Sequence, residues 1–277
     1  MRVLDVLQST AAYFNKRHVE SPRLNAEHLL AHSLGKKRIE LYLEFERELT
    51  EPELAPLREL VRRRGQGEPL QHLLGTVEFC GHTFLCDKRA LIPRPETEEL
   101  VELLLEVEPR PAKILDVGTG SGVIALSLAA ALPNAEVHAI DISDDALALA
   151  HENAARVQLA GRVQFWRGDL LDDVRDAYDL IVANLPYVPR SDHEQLAPEV
   201  RRDPEVALLG GERGDEIVRR FIEAAPPHLT PGGMLALEIG IGQADGLTRF
   251  LEEKNYRDIS ARQDYAGVTR FLLARHG

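Results

Sequence analysis

The length, composition and charge of the chain restrict it to a few classes of protein. Its 277 residues are 44% hydrophobic and 28% charged, which suits a globular protein with one large domain and a smaller companion. The formal net charge of -12 argues against an affinity dominated by nucleic-acid phosphates, although Arg62–Arg64 is a local basic strip. No apolar run approaches a membrane span, no signal-peptide pattern opens the chain, and cysteine occurs only at Cys80 and Cys86. We therefore expect a cytoplasmic protein without disulfides, membrane contact or stable nucleic-acid binding.

Residues 1–75 have the pattern of a small helical bundle. Apolar residues recur at helical spacing over 3–14, and Ser21-Pro22 and Thr50-Glu-Pro-Glu53 have the form of helix starts. A bundle placed before a catalytic core more often recognises a partner than carries out chemistry. His28 and His32 share a helix face, but the glutamate of a HExxH motif and a third ligand are missing, so we predict no metal site.

Residues 76–90 are predicted to form a hairpin linker, because apolar and polar residues alternate around a turn at Gly81. The segment Leu91–Glu99 then opens a helix and has two interpretations. It is a proline-stiffened turn whose early glutamates favour the helix dipole, or it is a rigid segment over a binding site with Arg94 and Thr97 pointing inward. Spacing alone favours the first interpretation.

Strands and helices alternate through the third segment, residues 91–277. Strands are predicted over 113–117, 136–140, 162–167, 179–183 and 233–239, with two more at the end of the chain. This alternation predicts an α/β fold, a doubly wound and mostly parallel sheet covered by helices on both faces. We expect the final two strands to form an antiparallel edge pair.

Three consecutive strands of this sheet end in residues that suit an adenosine-containing cofactor. The first ends in the loop Gly118, Thr119, Gly120, Ser121, Gly122, where glycine lets the backbone approach a ligand and a helix N-terminus follows. Asp141 ends the second and could accept hydrogen bonds from both hydroxyls of a ribose. Asp169 ends the third and could accept from an adenine amino group, with Leu170 packing on the ring. Nicotinamide enzymes prefer GxGxxG, so Val123 disfavours an oxidoreductase.

The fourth strand ends in Asn184, Leu185, Pro186 and Tyr187. Ligands of such sheets bind at the carboxyl ends of the strands, so this polar cluster is well placed for chemistry. Our hypothesis is that the Asn184 side-chain oxygen and a backbone carbonyl near Pro186 each accept one hydrogen of a planar amino group while it is methylated. Tyr187 would pack against the amide plane. The alternative is a strand-terminating turn, since Asn and Pro both favour turns.

With these motifs the core resembles the S-adenosylmethionine-dependent methyltransferases. The chain resembles one family in particular, the release-factor glutamine N5-methyltransferases, over nearly its whole length. The resemblance is carried by the segments Leu91–Glu98, Ile114–Gly122, Asp203–Leu208 with Gly210-Gly211, and Glu238–Gly240, and by the preceding helical domain and hairpin. It implies a seven-stranded Rossmann-like methyltransferase sheet.

The resemblance also implies a function. S-adenosyl-L-methionine would contact Gly118–Gly122, Asp141, Asp169, Leu170 and Asn184, and S-adenosyl-L-homocysteine would leave as product. Asn184, Leu185, Pro186 and Tyr187 would bind the substrate, the glutamine of the Gly-Gly-Gln tripeptide in class I peptide-chain release factors. Its N5 methylation would modulate translation termination.

One residue departs from the family pattern, which usually reads Asn-Pro-Pro-Tyr, because position 185 is leucine. If that position contributes a backbone carbonyl, leucine can replace proline with some loss of loop stiffness. Asn-Leu-Pro-Tyr is also typical of rRNA adenine dimethyltransferases, whose helical domain follows the core, whereas here it comes first. A nucleic-acid amino-methyltransferase is thus the nearest rival, and a non-catalytic cofactor-binding regulator would leave this motif unexplained.

Overall fold

The computed structural model describes residues 1–277, and the chain forms two compact units. The first contains Met1–Thr76 and, from much later in the sequence, Ala197–Arg202. The second contains Val77–Leu196 and Asp203–Gly277. None of the helices is both long and apolar enough to cross a bilayer.

The first unit is a helical bundle. Its helices are α1 (Val3–Lys16), α2 (Pro22–Ser33), α3 (Arg38–Leu43), α4 (Glu51–Arg64) and α5 (Leu70–Leu74). Apolar side chains of α1 and α2, among them Phe14 and Leu29, are fully buried in one core, and burying such a side chain is worth about 1.5–3 kcal/mol. The α4 start is the predicted capping box, with the Glu53 carboxylate accepting from the Thr50 backbone N–H at 2.9 Å. Ser21 does precede α2, but its side chain makes no capping bond because its backbone is left-handed (φ 45°).

A buried arginine connects the late segment of the first unit to its helices. Arg64 ends α4 with 4% of its surface exposed. Its Nε donates to Asn25 Oδ1 at 2.7 Å, and its Nη1 donates to the Glu68 carbonyl at 3.0 Å. Its Nη2 lies 2.7 Å from Glu199 Oε2. The guanidinium therefore depends on three separate parts of the chain, since a buried charge is tolerated only when it is paired and hydrogen-bonded.

The second unit opens with a hairpin of β1 (Thr76–Phe79) and β2 (His82–Leu85), followed by helix α6 (Pro95–Leu105). The main sheet is built from β3 (Lys113–Val117), β4 (Glu136–Asp141), β5 (Val163–Arg167), β6 (Tyr178–Asn184), β9 (Leu229–Glu238), β10 (Tyr256–Gln263) and β11 (Thr269–His276). Its helices are α7 (Val123–Ala131), α8 (Asp144–Arg156), α9 (Glu216–Ala224) and α10 (Ala244–Glu253). Two very short strands, β7 (Val188–Pro189) and β8 (Leu209–Gly211), pair with each other outside it.

The sheet has the order β10-β11-β9-β6-β3-β4-β5. The five strands from β9 to β5 are parallel, whereas β11 runs antiparallel to both of its neighbours. This confirms the predicted α/β fold, including an antiparallel pair at the end of the chain. Buried residues cover both faces of the sheet in two core clusters, because helices pack on each side.

The topology brings the predicted site together. Parallel strands end at the same edge of a sheet, so the residues after β3, β4, β5 and β6 are neighbours. Asn184 lies opposite Glu238 across the β6–β9 pair. The sheet grows from β3 toward β4 and β5 on one side and toward β6 on the other, so β3 and β6 flank the topological switch point. Such folds bind their ligands in the crevice at this point.

Candidate functional site

The glycine loop between β3 and α7 requires glycine because of its backbone conformation. The φ angles of Gly118, Gly120 and Gly122 are 72°, 57° and 83°, which L side chains rarely adopt. In addition, a Cβ on Gly118 would lie 2.9 Å from Leu185 Cδ2. The Leu185 side chain therefore lies next to Gly118, on the residue that follows Asn184.

A buried carboxylate, Asp116, holds this loop from behind. Its Oδ2 accepts from the Thr119 hydroxyl at 2.6 Å and from the Ala125 backbone N–H at 3.1 Å, and no part of its surface is exposed. Burial raises the pKa of this carboxyl to about 7, against the effect of the two hydrogen bonds. Sequence reasoning assigned Asp116 no role, although a carboxylate within a buried apolar strand is itself a signal.

Asp141 fixes the other side of the loop. Its Oδ2 accepts from the Gly120 N–H at 2.8 Å, and its Oδ1 accepts from the Ser143 N–H at 2.9 Å. Burial raises its pKa, while the backbone donors oppose the change. A carboxylate offers about four lone-pair positions, so Asp141 keeps capacity to accept from a further donor.

Asp169 and Leu170 follow β5 in a different environment. The Asp169 side chain is 46% exposed, and its Oδ1 lies 2.5 Å from Arg220 Nη2. Leu170 is 8% exposed and adopts a left-handed φ of 50°. A branched side chain in that region costs about 1–2 kcal/mol, so the surrounding packing must hold Leu170 in place.

These groups surround one cavity of about 260 Å³. The glycine loop, Asp141, Asp169, Leu170, Asn184, Leu185 and Pro186 all contribute to its lining, whereas Tyr187 does not. The remaining lining residues that matter here are Ala90, Arg94, Thr97, Pro204, Val206, Ala207 and Arg220. The structure thus gathers the separate strand-end motifs around a single space.

Asn184 is held from behind by two buried side chains. Its Nδ2 lies 3.2 Å from the Thr97 hydroxyl, which is itself 2.7 Å from Glu238 Oε2. Thr97 and Glu238 are 3% and 2% exposed. Burial raises the pKa of the Glu238 carboxyl to about 7. Sequence reasoning noted Glu238 only as part of the family resemblance and gave it no role.

Pro186 and Tyr187 lie where the chain turns away from the sheet. A Cβ on Gly210 would be 2.5 Å from the Pro186 carbonyl oxygen, so this carbonyl faces β8. The Tyr187 carbonyl accepts from Gln243 Nε2 at 3.2 Å, and burial raises the pKa of its phenol to about 12. Gln243 also bonds to Gly214 and Gly240, and no motif in the sequence pointed to this bracing role.

The segment Leu91–Glu99 combines its two interpretations. Pro95 opens α6, as expected for a proline-stiffened helix start. Arg94 and Thr97 nevertheless face the cavity. Arg94 Nη2 lies 2.7 Å from Asp203 Oδ2, and Pro204, Val206 and Ala207 beyond Asp203 line the cavity. An ion pair therefore joins the two proline-containing segments at the rim. No cluster of three or more His, Cys, Asp and Glu side chains is arranged to hold a metal ion.

Comparison with known proteins identifies the family. The family model described as the PrmC N-terminal domain matches residues 5–75, and that of the methyltransferase small domain matches residues 96–202. The release factor glutamine methyltransferase of Geobacter sulfurreducens is 43% identical over 98% of this chain and 96% of its own length. The Rhodopirellula baltica protein of the same name is 40% identical over 98% and 95%.

A solved structure supports the fold alone. The ribosomal protein L11 methylase from Lactobacillus delbrueckii subsp. bulgaricus has a TM-score of 0.52 and 24% identity, over 69% of this chain and 84% of that one. The sequence matches confirm the resemblance that Leu91–Glu98 and the glycine loop indicated. They show that the chain is a methyltransferase and that it belongs to the release factor glutamine methyltransferase family.

Proposed function

We propose that this protein transfers a methyl group from S-adenosyl-L-methionine to the side-chain amide nitrogen of the glutamine in the Gly-Gly-Gln tripeptide of class I release factors. The observation that carries the proposal is the position of Asn184, a fixed amide at the wall of a cavity shaped by a glycine loop and Asp141. Family membership supplies the substrate class.

The residues around the cavity fit the methyl donor. The left-handed glycines leave no Cβ between the loop backbone and a ligand. Asp141 would accept from the ribose hydroxyls, Asp169 would accept from the adenine amino group, and Leu170 would pack against the adenine. When bound, S-adenosyl-L-methionine supplies an electrophilic methyl group on a sulfonium. The cationic donor also suits a cavity bordered by two carboxylates.

An amide nitrogen is a weak nucleophile because its lone pair is delocalised into the carbonyl. Asn184 Oδ1 would accept one hydrogen of the substrate amide, and a backbone carbonyl would accept the other. The Pro186 carbonyl faces Gly210, so we assign the second acceptor to the Leu185 carbonyl. A backbone carbonyl is present whatever the side chain, so leucine at position 185 can supply this acceptor as well as the proline that the family usually has.

Positioning and preorganised dipoles supply most of the rate under this proposal. Two acceptors fix the direction of the nitrogen lone pair, and a single well-placed hydrogen bond of this kind is worth about 10²–10³ in rate. Tyr187 would pack against the planar amide with its phenol protonated, since burial raises its pKa to about 12. An N-alkylated amide cation is strongly acidic, so loss of its proton requires no general base.

We further propose that the helical domain of residues 1–75 recognises the release factor, with residues 76–90 as linker and 91–277 as the methyltransferase domain. Because peptide-chain release factors act on ribosomes, the proposal places the enzyme in the cytoplasm. The acidic total charge fits a protein substrate better than a nucleic acid.

The test is mass spectrometry of a class I release factor after incubation with the enzyme and S-adenosyl-L-methionine. We expect one added methyl on the tripeptide glutamine and none on a release factor carrying alanine there. Asn184→Ala should nearly abolish transfer while cofactor affinity falls by only about tenfold, or ~1.4 kcal/mol. Near-normal turnover by Asn184→Ala would contradict the acceptor role. Methylation of rRNA in place of the release factor would favour the nucleic-acid rival, which shares Asn-Leu-Pro-Tyr.

A further inference from the structure

Three side chains from three elements form a hydrogen-bonded series behind the site. Asn184 ends β6, Thr97 lies in the first turn of α6, and Glu238 ends β9. The Asn184 Nδ2 to Thr97 Oγ1 distance is 3.2 Å, and the Thr97 Oγ1 to Glu238 Oε2 distance is 2.7 Å. Thr97 and Glu238 are almost wholly buried, so water does not compete for these bonds.

The chemistry of the three groups decides which of them donates each hydrogen bond. Above pH 7 the Glu238 carboxyl is ionised and only accepts hydrogen bonds, so the single hydroxyl proton of Thr97 is donated to Glu238. The Thr97 oxygen can then only accept from Asn184. The group that Asn184 turns toward Thr97 must be its NH₂, and the side-chain oxygen must point away.

We propose that Thr97 and Glu238 are positioning residues that fix which way the Asn184 amide faces, so that it offers an acceptor and not a donor to the substrate. The inference rests on the proposed function, in which Asn184 Oδ1 accepts a hydrogen from the substrate amide. A flipped Asn184 would point its NH₂ at the substrate NH₂. The site would lose one hydrogen bond and gain a donor facing a donor, which selects against the substrate.

Replacing Thr97 or Glu238 removes the hydrogen bonds that fix which way the Asn184 amide faces, while Asn184 itself is retained. In Thr97→Val the Asn184 NH₂ loses the Thr97 oxygen and keeps only its interaction with the Glu238 carboxylate. In Glu238→Gln the side chain can donate as well as accept, so the Thr97 proton no longer has a unique destination. Thr97→Ser keeps the hydroxyl and serves as the conservative variant.

The experiment compares these three variants with wild type in steady-state methylation of a release factor at pH 8.5, where Glu238 is ionised, with cofactor affinity measured by calorimetry. Thr97→Val and Glu238→Gln should each lower kcat by about 10- to 100-fold, as expected for loss of one acceptor and burial of an unpaired donor. Their cofactor affinity should stay within threefold of wild type, which also shows that they fold. Thr97→Ser should recover most of the kcat lost in Thr97→Val.

Thr83→Val is a matched control, because the Thr83 hydroxyl also donates to a carboxylate, Glu78 Oε1 at 2.6 Å, but on the exposed hairpin. It should retain wild-type kcat. The inference is overturned if Thr97→Val keeps more than half of the wild-type kcat, or if cofactor affinity falls in parallel with kcat.

A second measurement separates this inference from the proposed function. The side-chain ¹⁵N–¹H₂ signals of Asn184 report its hydrogen bonding without any substrate. Their solvent exchange should accelerate at least tenfold in Thr97→Val and remain unchanged in Thr83→Val. If wild type does not methylate glutamine, the proposed function fails, and the exchange data still decide whether Thr97 holds Asn184. Equal exchange in wild type and Thr97→Val would refute the positioning role.

Discussion

The buried carboxyl of Asp116 makes folding stability depend on pH in a defined direction. Its pKa rises from 3.8 to about 7 in the folded protein because burial disfavours its charge. The folded state therefore binds a proton that the unfolded state has released between these two values. The stabilisation relative to high pH is fully present below pH 3.8 and is lost as pH rises toward 7. Above pH 7 the loss is complete and the stability no longer changes with pH on account of Asp116. Asp116→Asn carries no titrating group and should lack this loss.

The magnitude follows from the two pKa values. Each pKa unit is worth 1.36 kcal/mol, so between pH 4.5 and 8.5 wild type should lose about 3 kcal/mol of unfolding free energy relative to Asp116→Asn. Asp116 is fully buried, so solvent does not reduce the effect. The variant leaves an NH₂ where Asp116 Oδ1 has no hydrogen-bond partner. That cost is independent of pH and does not alter the slope.

The assay is urea unfolding at several pH values, followed by the fluorescence of Trp166, the only tryptophan of the chain. Trp166 lies on β5 and reports on the second unit. Asp173→Asn changes the net charge equally at an exposed position and should follow wild type at every pH. If the difference in unfolding free energy between wild type and Asp116→Asn is the same at pH 4.5 and at pH 8.5, the effect assigned to Asp116 is refuted.

Three further predictions concern the site and the thiols. Asp141→Asn should weaken cofactor binding by about 10- to 100-fold in calorimetry, whereas Asp169→Asn, at an exposed and ion-paired carboxylate, should cost less than tenfold. Gly210→Ala should abolish methyl transfer, because its Cβ would lie 2.3 Å from the Gly214 oxygen and 2.5 Å from the Pro186 oxygen. Gly246→Ala on α10, whose Cβ would make only an ordinary van der Waals contact 3.5 Å from Arg219 Nη2, should keep full activity. The two cysteine thiols should resist iodoacetamide at pH 8 in the folded enzyme, as judged by intact mass, because burial raises their pKa values to about 11 and about 12.

Much of the fold followed from local patterns. Apolar runs of five to seven residues alternate with segments whose apolar residues recur at helical spacing. This pattern predicts a parallel sheet, because both faces of its strands are buried under helices. The strand-end positions of Gly118, Asp141 and Asn184 then followed from one rule, since parallel strands end at a common edge. These features depend on residues close together in sequence.

The missed features depend on distant residues. Thr97 and Glu238 are 141 positions apart; the pairing of β9 beside β6 brings Glu238 to Asn184, and α6 brings Thr97. The ion pair of Arg94 with Asp203 likewise spans 109 positions. Residues 188–211 contain the short β7–β8 pair and, at 197–202, a segment of the first unit. Periodicity cannot reveal such pairings, because each partner reads locally as an ordinary polar residue.

The pairing of Arg64 with Glu199 has a consequence for anyone who recombines these enzymes. A chimera made by exchanging residues 1–76 alone would inherit Arg64 without the segment that carries its carboxylate. Leaving such a buried guanidinium unpaired costs about 3–5 kcal/mol. The helical module is therefore inherited as two separate stretches of sequence, and a viable exchange must carry residues 197–202 together with the first 76.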